Sequence, residues 1–204
     1  MIVLGVVGAM GSGKTLVLEM FGVLGAATIR ADDLSRELLI PDSAITRQVR
    51  AEFGDEYFDS GGNLLRGKLA AAIFTSESAR SRLNAIMYPA MVSLLEGKLC
   101  EIGRCSHKPV MVAVEAANLH EMGGARLVDH VLRVTAPSQV RLRRIQARDE
   151  LSVDEAQKRL DSHIAAGMDA SPANYELNSD KPVAQLQEDV QRLYRVLVGC
   201  AVET

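Results

Sequence analysis

The sequence predicts an α/β fold in which helices cover a doubly wound parallel sheet. Short apolar runs, rich in β-branched residues, alternate along the chain with longer stretches of helical spacing. The first apolar run stops at a glycine-rich loop, and a helical stretch follows that loop directly. Strands that alternate with helices in this way favour a parallel sheet with right-handed crossovers.

Five apolar runs are the candidate strands. Each is short and carries few charges, as expected of strands whose two faces are both covered. The runs occupy residues 1–7, 26–29, 110–114, 131–135 and 175–177.

The helical stretches lie between these runs. Residues 15–24 have apolar side chains at helical spacing and end before a glycine. The pattern is also mostly helical from residue 33 to about residue 101, with breaks expected at Pro41, at residues 59–62 and at Pro89. A polar, arginine-rich helical region covers residues 138–164 with an interruption around 150–153, and a last helix covers 183–198.

We expect one domain over residues 1–204, made of three parts. Its core comprises residues 1–39, 105–137 and 173–204. A helical substrate subdomain covers about 40–104, and an arginine-bearing lid covers about 138–172. The chain contains no internal repeat and no low-complexity linker that would divide it further.

The glycine-rich loop GAMGSGKT has the spacing of a phosphate-binding P-loop, GxxxxGK followed by Ser or Thr. Glycines let the backbone curl so that its N–H groups point at the β-phosphate, and the next helix adds the positive end of its dipole. The alternative is a glycine-rich turn that binds no ligand. We predict a P-loop NTPase-type fold that binds ATP through all eight residues and Mg²⁺ through the last: Gly8, Ala9, Met10, Gly11, Ser12, Gly13, Lys14 and Thr15.

A P-loop alone does not separate kinases from GTPases or motor ATPases. A GTPase would carry an Asn-Lys-x-Asp motif that reads guanine, and residues 178–180, Asn-Ser-Asp, lack its lysine. The arginine-rich segment late in the chain fits a mobile lid that closes over the transferring phosphate. The sequence therefore favours an ATP-dependent kinase with a small-molecule substrate.

Two carboxylates are expected at the carboxyl end of the sheet, where α/β folds bind ligands. Asp32 follows the second strand and is a candidate for positioning and deprotonating the acceptor hydroxyl. It could instead cap the following helix, although Asp33 suits that role better. Glu115 ends the third strand, where it is either a Walker B carboxylate that holds a Mg²⁺-bound water or an ordinary surface residue.

The lid contains several arginines. Arg144 and Arg148 lie four residues apart on one helical face, so both can point into a closing cleft and neutralise charge on the γ-phosphate. Arg141 and Arg143 are their neighbours, and not all of these side chains can point inward. A solvated basic face is the alternative interpretation of this segment. Arg159 lies further along the same segment, and either interpretation applies to it.

The composition excludes several other classes of protein. Of the 204 residues, 48% are apolar and 4% aromatic, and the net charge of −3 is spread without a concentrated basic surface, so we expect no nucleic-acid partner. No apolar stretch approaches the roughly 20 residues that span a bilayer. The three cysteines form no CxxC pair and are expected to be free thiols, as in a cytoplasmic protein.

Taken in order, these motifs resemble those of the dephospho-CoA kinase family. That family opens with a segment of the form GLTGGIGSGKS, to which residues 5–15, GVVGAMGSGKT, are similar. Its Asp-Ala-Asp motif resembles residues 30–32, Arg-Ala-Asp, and its pattern GxLxRxxLxxxxF is similar to residues 62–74. The Arg-x-x-x-Arg of the lid and an Asn after the last strand extend the resemblance through nearly the whole chain.

The resemblance implies an activity and further site residues. The family phosphorylates the ribose 3′-hydroxyl of dephospho-CoA with ATP, the last step of coenzyme A synthesis. Asp32, Lys14 and Arg144 would then be catalytic, while Arg148 and Asn178 would contact ATP. Dephospho-CoA would contact Asp32 and, through one of its phosphates, Arg66, which could equally be an ordinary surface arginine.

The chain also departs from the family pattern. The departures permit a kinase for another nucleoside or small metabolite, or a catalytically weak regulator that binds nucleotides. They do not indicate an oligomeric state. They lie at Arg30 (an Asp in the family), Tyr88 (a His), Ala117 (within a loosely matched Asp-x-Pro-Leu-Leu-Phe-Glu segment), His163 (a Gln) and Asn174 (an Asp).

Overall fold

The computed structural model describes residues 1–165 and 172–200 and divides the chain into two compact units. One unit contains Met1–Arg30 together with the described residues from Cys100 onward. The other contains Ala31–Leu99 and is mainly helical, whereas the first holds the sheet. The bounds expected for the core, the substrate subdomain and the lid stay predictions.

The sheet of the first unit has five parallel strands in the order β2-β3-β1-β4-β5. Each begins and ends within one residue of its predicted bounds, so the predicted α/β class is confirmed. The strands are β1 (Ile2–Val7), β2 (Ala27–Arg30), β3 (Met111–Glu115), β4 (His130–Thr135) and β5 (Tyr175–Asn178).

Strand β1 is the central strand, and it is buried at every position. Strands β3 and β2 lie on one side of it, and β4 and β5 lie on the other. The strand order therefore reverses at β1. The carboxyl ends of β1, β3 and β4 therefore lie side by side at the reversal. Open α/β sheets bind their ligands at this point.

Two helices, α1 (Lys14–Val23) and α8 (Val183–Cys200), share one hydrophobic core with the sheet. Phe21 of α1 and Leu186 of α8 are almost fully buried with Leu4 and Leu132 of the strands. Burying such a side chain stabilises a fold by about 1.5–3 kcal/mol. This core holds the start of α1, and hence the loop before it, against the sheet.

The remaining helices in the first two thirds of the chain follow the expected pattern, with one exception. They are α2 (Ala31–Leu38), α3 (Ala44–Phe53), α4 (Arg66–Thr75) and α5 (Glu77–Arg104). Pro41 lies between α2 and α3, and residues 59–62 form a turn between α3 and α4, so both of these predicted breaks are confirmed.

The predicted break at Pro89 is wrong, because α5 continues through it. A proline inside a helix removes one backbone hydrogen bond and costs about 3 kcal/mol or more. Buried apolar side chains on both sides of the proline outweigh that cost, since each contributes about 1.5–3 kcal/mol. They recur at helical spacing: Met87, Met91, Val92, Leu95 and Leu99.

The arginine-rich region forms two helices, α6 (Ser138–Asp149) and α7 (Val153–Ala165). Glu150, in the left-handed conformation with φ 52°, ends α6, which confirms the interruption expected there. A capping box then starts α7: the Ser152 hydroxyl accepts from the Glu155 N–H, and the Glu155 carboxylate accepts from the Ser152 N–H. Residues 166–171 of the expected lid lie outside the described part of the chain.

The described helices and cysteines bear on two expectations from composition, those about membrane spans and about free thiols. None of the described helices has the length and apolar character needed to cross a membrane. Cys100 and Cys105 are exposed free thiols, while the side chain of Cys200 lies outside what is described.

Candidate active site

The P-loop joins the carboxyl end of β1 to the start of α1. Gly13, with φ 91°, caps α1, and the first turn of this helix has no acidic residue. The positive end of the helix dipole is therefore not offset locally, which favours an anion at this point. The Lys14 ammonium folds back along the loop and donates a hydrogen bond to the Ala9 carbonyl at 3.0 Å.

Two glycines allow other backbone segments to pack directly against the loop. Gly8 has φ 143°, and a Cβ at this position would lie 2.3 Å from the carbonyl oxygen of Val134 in β4. Gly11 has φ 76°, and a Cβ there would lie 2.7 Å from the carbonyl oxygen of Arg141 in α6. Both positions require glycine for two reasons, positive φ and close approach.

A hydrogen-bonded network ties the loop to α6 and to the segment after β5. The Arg144 guanidinium donates to the carbonyl oxygen of Gly11 at 3.2 Å, and to the Ser179 hydroxyl at 2.8 Å and carbonyl at 3.0 Å. The Ser179 hydroxyl, in turn, donates to the Ser12 carbonyl at 2.6 Å. Ser179 is 2% exposed, so these bonds are shielded from water and stabilise the loop more than surface bonds would.

Arg141 of α6 is the second arginine that contacts the loop. Its Nε donates to the Met10 carbonyl at 3.0 Å, and the residue is 5% exposed. Arg141 and Arg144 thus both contact the P-loop backbone. The spacing of the lid arginines in the sequence predicts a different pair, Arg144 with Arg148.

Arg148 and Arg159 meet at one carboxylate. Arg148 donates to the two oxygens of Asp149 at 2.7 and 2.9 Å, and Arg159 donates to Oδ2 of the same residue at 2.9 Å. The hydrogen bond from Arg148 holds the pKa of the Asp149 carboxyl below its ordinary value, against the opposing effect of partial burial. The ion pairs join α6 to α7, and an ATP contact of Arg148 stays a prediction.

Thr15 and Glu115 lie together although 100 residues separate them in the chain. The Thr15 hydroxyl donates to the Glu115 carboxylate, with distances of 3.1 Å to Oε1 and 3.3 Å to Oε2. The Glu115 side chain is 14% exposed, so it is not an ordinary surface residue. The two side chains offer oxygen ligands, the kind that Mg²⁺ prefers.

A metal ion bound here would take most of its ligands from water and substrate phosphates rather than from the protein. Among the described residues, no cluster of three or more His, Cys, Asp or Glu could hold a metal ion. Mg²⁺ commonly keeps several waters and binds through one or two protein groups plus substrate phosphates. The Thr15–Glu115 pair fits that mode of binding.

The predicted acceptor-side residues belong to the second unit. Asp32 is exposed and lies in the first turn of α2, which begins at Ala31 directly after β2. The alternative that Asp32 or Asp33 caps this helix is wrong, because the helix has already begun. Arg66 is exposed and is the first residue of α4. Among the described residues, neither the Asp32 nor the Arg66 side chain has a hydrogen-bond or ion-pair partner.

One asparagine directly precedes β5 and another is its last residue. The Asn174 amide oxygen accepts from the Val131 N–H at 2.7 Å, which ties the start of β5 to β4. Asn178 ends β5, and its amide oxygen accepts from the Asp180 N–H at 2.8 Å, which forms a turn that presents Ser179 to the loop. A nucleotide contact of Asn178 stays a prediction.

A cavity of about 280 Å³ opens beside the loop, between β4 and the start of α6. Ser12 borders it with a buried hydroxyl that lacks a hydrogen-bond partner among the described residues. Arg133 and Arg141 also line it, together with Thr135 and Ser138. The cavity therefore offers positive charge and hydroxyl groups next to the P-loop.

Comparison with known proteins identifies the family. The model of the family described as dephospho-CoA kinase matches residues 2–185. The chain belongs to the dephospho-CoA kinase family. It is 34% identical to the dephospho-CoA kinase of Syntrophotalea carbinolica over 198 residues, which cover 97% of this chain and 93% of that protein. It is 39% identical to the enzyme of Moorella thermoacetica over 160 residues, 78% of this chain and 75% of that protein.

Solved structures support the fold of this kinase. A crystal structure from Thermus thermophilus has a TM-score of 0.72 and 25% identity, and the match covers 96% of this chain and 97% of that one. A dephospho-CoA kinase from Campylobacter jejuni has a TM-score of 0.67 and 19% identity, with 98% of both chains covered. These likenesses confirm the predicted P-loop kinase fold, and the family confirms an ATP-dependent kinase.

Sequence reasoning missed two residues that hold the loop of this kinase. Arg141 was recognisable, since Arg141, Arg144 and Arg148 occur at i, i+3 and i+7 and so share one helical face. Ser179 carried no such pattern, because a single serine after a strand has many possible roles. Its function depends on β5 ending beside the P-loop.

Proposed function

We propose that this protein transfers the γ-phosphate of ATP to the ribose 3′-hydroxyl of dephospho-CoA and so forms coenzyme A. The observation that carries the proposal is the family match over residues 2–185, which includes the P-loop and α6 and α7, the two helices of the proposed lid. The Syntrophotalea carbinolica protein, which is named dephospho-CoA kinase, matches 97% of this chain.

The P-loop supplies the phosphate-binding groups in this proposal. Its N–H groups and the start of α1 hold the β-phosphate, and Lys14 reaches across the phosphate oxygens. Arg144 neutralises charge that develops on the γ-phosphate. Support comes from its guanidinium, which contacts the loop backbone at Gly11. Arg148 and Asn178 are proposed as further contacts of the nucleotide.

Asp32 and Arg66 are proposed to contact the acceptor substrate. Asp32 aligns the attacking hydroxyl and accepts its proton, a role for which an exposed carboxylate that has no partner among the described side chains is suited. Arg66 binds a phosphate of dephospho-CoA through its guanidinium. Its exposed position at the start of α4 supports that role.

Mg²⁺ is proposed to bind at Thr15 and Glu115. The ion would neutralise charge between the β- and γ-phosphates when it is bound. When the ion is bound, the Thr15 hydroxyl would contact it directly, and the Glu115 carboxylate would hold a water of its shell. The hydrogen bond between the two residues supports this arrangement, because it holds the two oxygen atoms next to each other.

We expect Thr15→Ala to raise the free Mg²⁺ concentration for half-maximal activity by roughly tenfold, since one direct ligand is lost. Thr15→Ser keeps a hydroxyl at the same place and is expected to behave like the wild type. The measurement is the rate of ADP release against free Mg²⁺ at saturating ATP. Equal behaviour of the alanine and serine variants would contradict the metal role of Thr15.

The substrate is tested by coupled ADP release from ATP and Mg²⁺ in the presence and absence of dephospho-CoA. We expect turnover that depends on dephospho-CoA, with a product phosphorylated at the 3′-hydroxyl by mass spectrometry and NMR. Adenosine and pantetheine 4′-phosphate, offered separately, serve as acceptor controls. Bound ATP without any stimulation by dephospho-CoA would refute the proposal.

A further inference from the structure

Arg30 and Glu115 end two neighbouring strands. They are register partners in β2 and β3, so their side chains leave the sheet on the same face. The Nε of Arg30 lies 3.6 Å from Oε2 of Glu115. The structure therefore places a cation beside the carboxylate that contacts the P-loop.

Two neighbours of the Glu115 carboxylate have opposite effects on the binding of a metal ion. The Thr15 hydroxyl donates one hydrogen bond, shared between the two carboxylate oxygens, and offers its own oxygen to a metal ion. Arg30 contributes a positive charge to the same carboxylate. Because the Glu115 side chain is only 14% exposed, solvent screens this charge less than it screens a fully exposed pair. The Arg30 side chain is 44% exposed, so the effect is moderate.

We propose that Arg30 is a positioning residue of the nucleotide site: acting through Glu115, its guanidinium lowers the affinity of the Thr15–Glu115 site for the Mg²⁺ of the nucleotide. A second cation near the carboxylate repels the metal and shares the negative charge that would attract it. The inference rests on the Mg²⁺ site of the proposed function. Its consequence is a kinase that needs more free Mg²⁺ and releases its Mg²⁺–ADP product more readily.

The test removes the charge at position 30 and preserves it in a matched variant. Arg30→Gln keeps much of the length of the side chain but is neutral, whereas Arg30→Lys keeps the positive charge. Calorimetric titration with ADP, repeated over a range of free Mg²⁺ at constant ionic strength, gives the Mg²⁺ concentration for half-maximal gain in affinity. We expect Arg30→Gln to lower that concentration about fivefold, and Arg30→Lys to match the wild type.

Two further variants keep the test decisive. Arg30→Thr is a second neutral change suited to a strand end, in case the glutamine variant does not fold. Arg82→Gln removes an arginine that pairs with Glu52 at 3.1 Å, and it should leave the Mg²⁺ dependence as in the wild type. Arg82 has no assigned part in nucleotide or metal binding, so this change controls for the loss of one positive charge.

The results separate the inference from the proposed function. An unchanged or higher Mg²⁺ requirement in the neutral Arg30 variants would overturn the inference, as would an equal shift in Arg30→Lys. If ADP binding by the wild type does not depend on Mg²⁺, or if Thr15→Ala leaves that dependence intact, the proposed metal site fails first and the inference fails with it.

Discussion

Replacement of Asp32 by Asn is expected to lower kcat by roughly a thousandfold, within the range that a positioned general base contributes. Asparagine has nearly the same size and still accepts a hydrogen bond, but it cannot take the proton of the acceptor hydroxyl. Because Asp32 is exposed and unpartnered among the described side chains, the fold should lose no stabilising contact. Initial rates of ADP release at saturating ATP and dephospho-CoA measure the effect, and calorimetry should show unchanged ATP affinity.

The neighbouring residue provides the matched control. Asp33 is also exposed, lies in the same first turn of α2, and pairs with Arg36 at 3.1 Å. Asp33→Asn makes the same chemical change one residue away and should retain most of the wild-type kcat. A similar loss in both variants would show that negative charge at the start of α2 matters generally. It would contradict a specific role of Asp32.

Gly8→Ala should abolish nucleotide binding and destabilise the fold. The added Cβ would lie 2.3 Å from the Val134 carbonyl oxygen, and this contact is with backbone, which cannot turn aside as a side chain can. The loop must move away from β4 or the variant must unfold. We expect a loss of about 3 kcal/mol in the free energy of unfolding, from backbone strain and overpacking together. Urea denaturation and ATP titration measure the two effects.

Gly25→Ala separates the two causes. Gly25 also has positive φ, 94°, but a Cβ there would have no neighbouring atom within 4 Å. This variant should therefore lose only the conformational contribution, about 1 kcal/mol, and should keep its affinity for ATP. If Gly8→Ala is as stable as Gly25→Ala and binds ATP normally, the close packing of the loop against β4 is not needed for nucleotide binding.

The P-loop was predictable because its chemistry is local. Its glycines, Lys14 and Thr15 are close in sequence, and each acts through the backbone or through a side chain at a set spacing. The strands were predictable for a related reason: buried parallel strands need short apolar runs, and few other structures tolerate them. Where a local rule competed with packing, at Pro89, the local rule predicted the wrong result.

The amino-acid sequence by itself determined the fold class, the phosphate-binding loop and, through the order of its motifs, the family resemblance that the comparisons confirmed. Only the tertiary structure decided which distant residues meet that loop. Glu115 contacts Thr15 because β3 lies beside β1, and Ser179 contacts Ser12 across 167 positions because β5 ends near the same edge. Such contacts depend on strand order and packing, which no short stretch of sequence specifies.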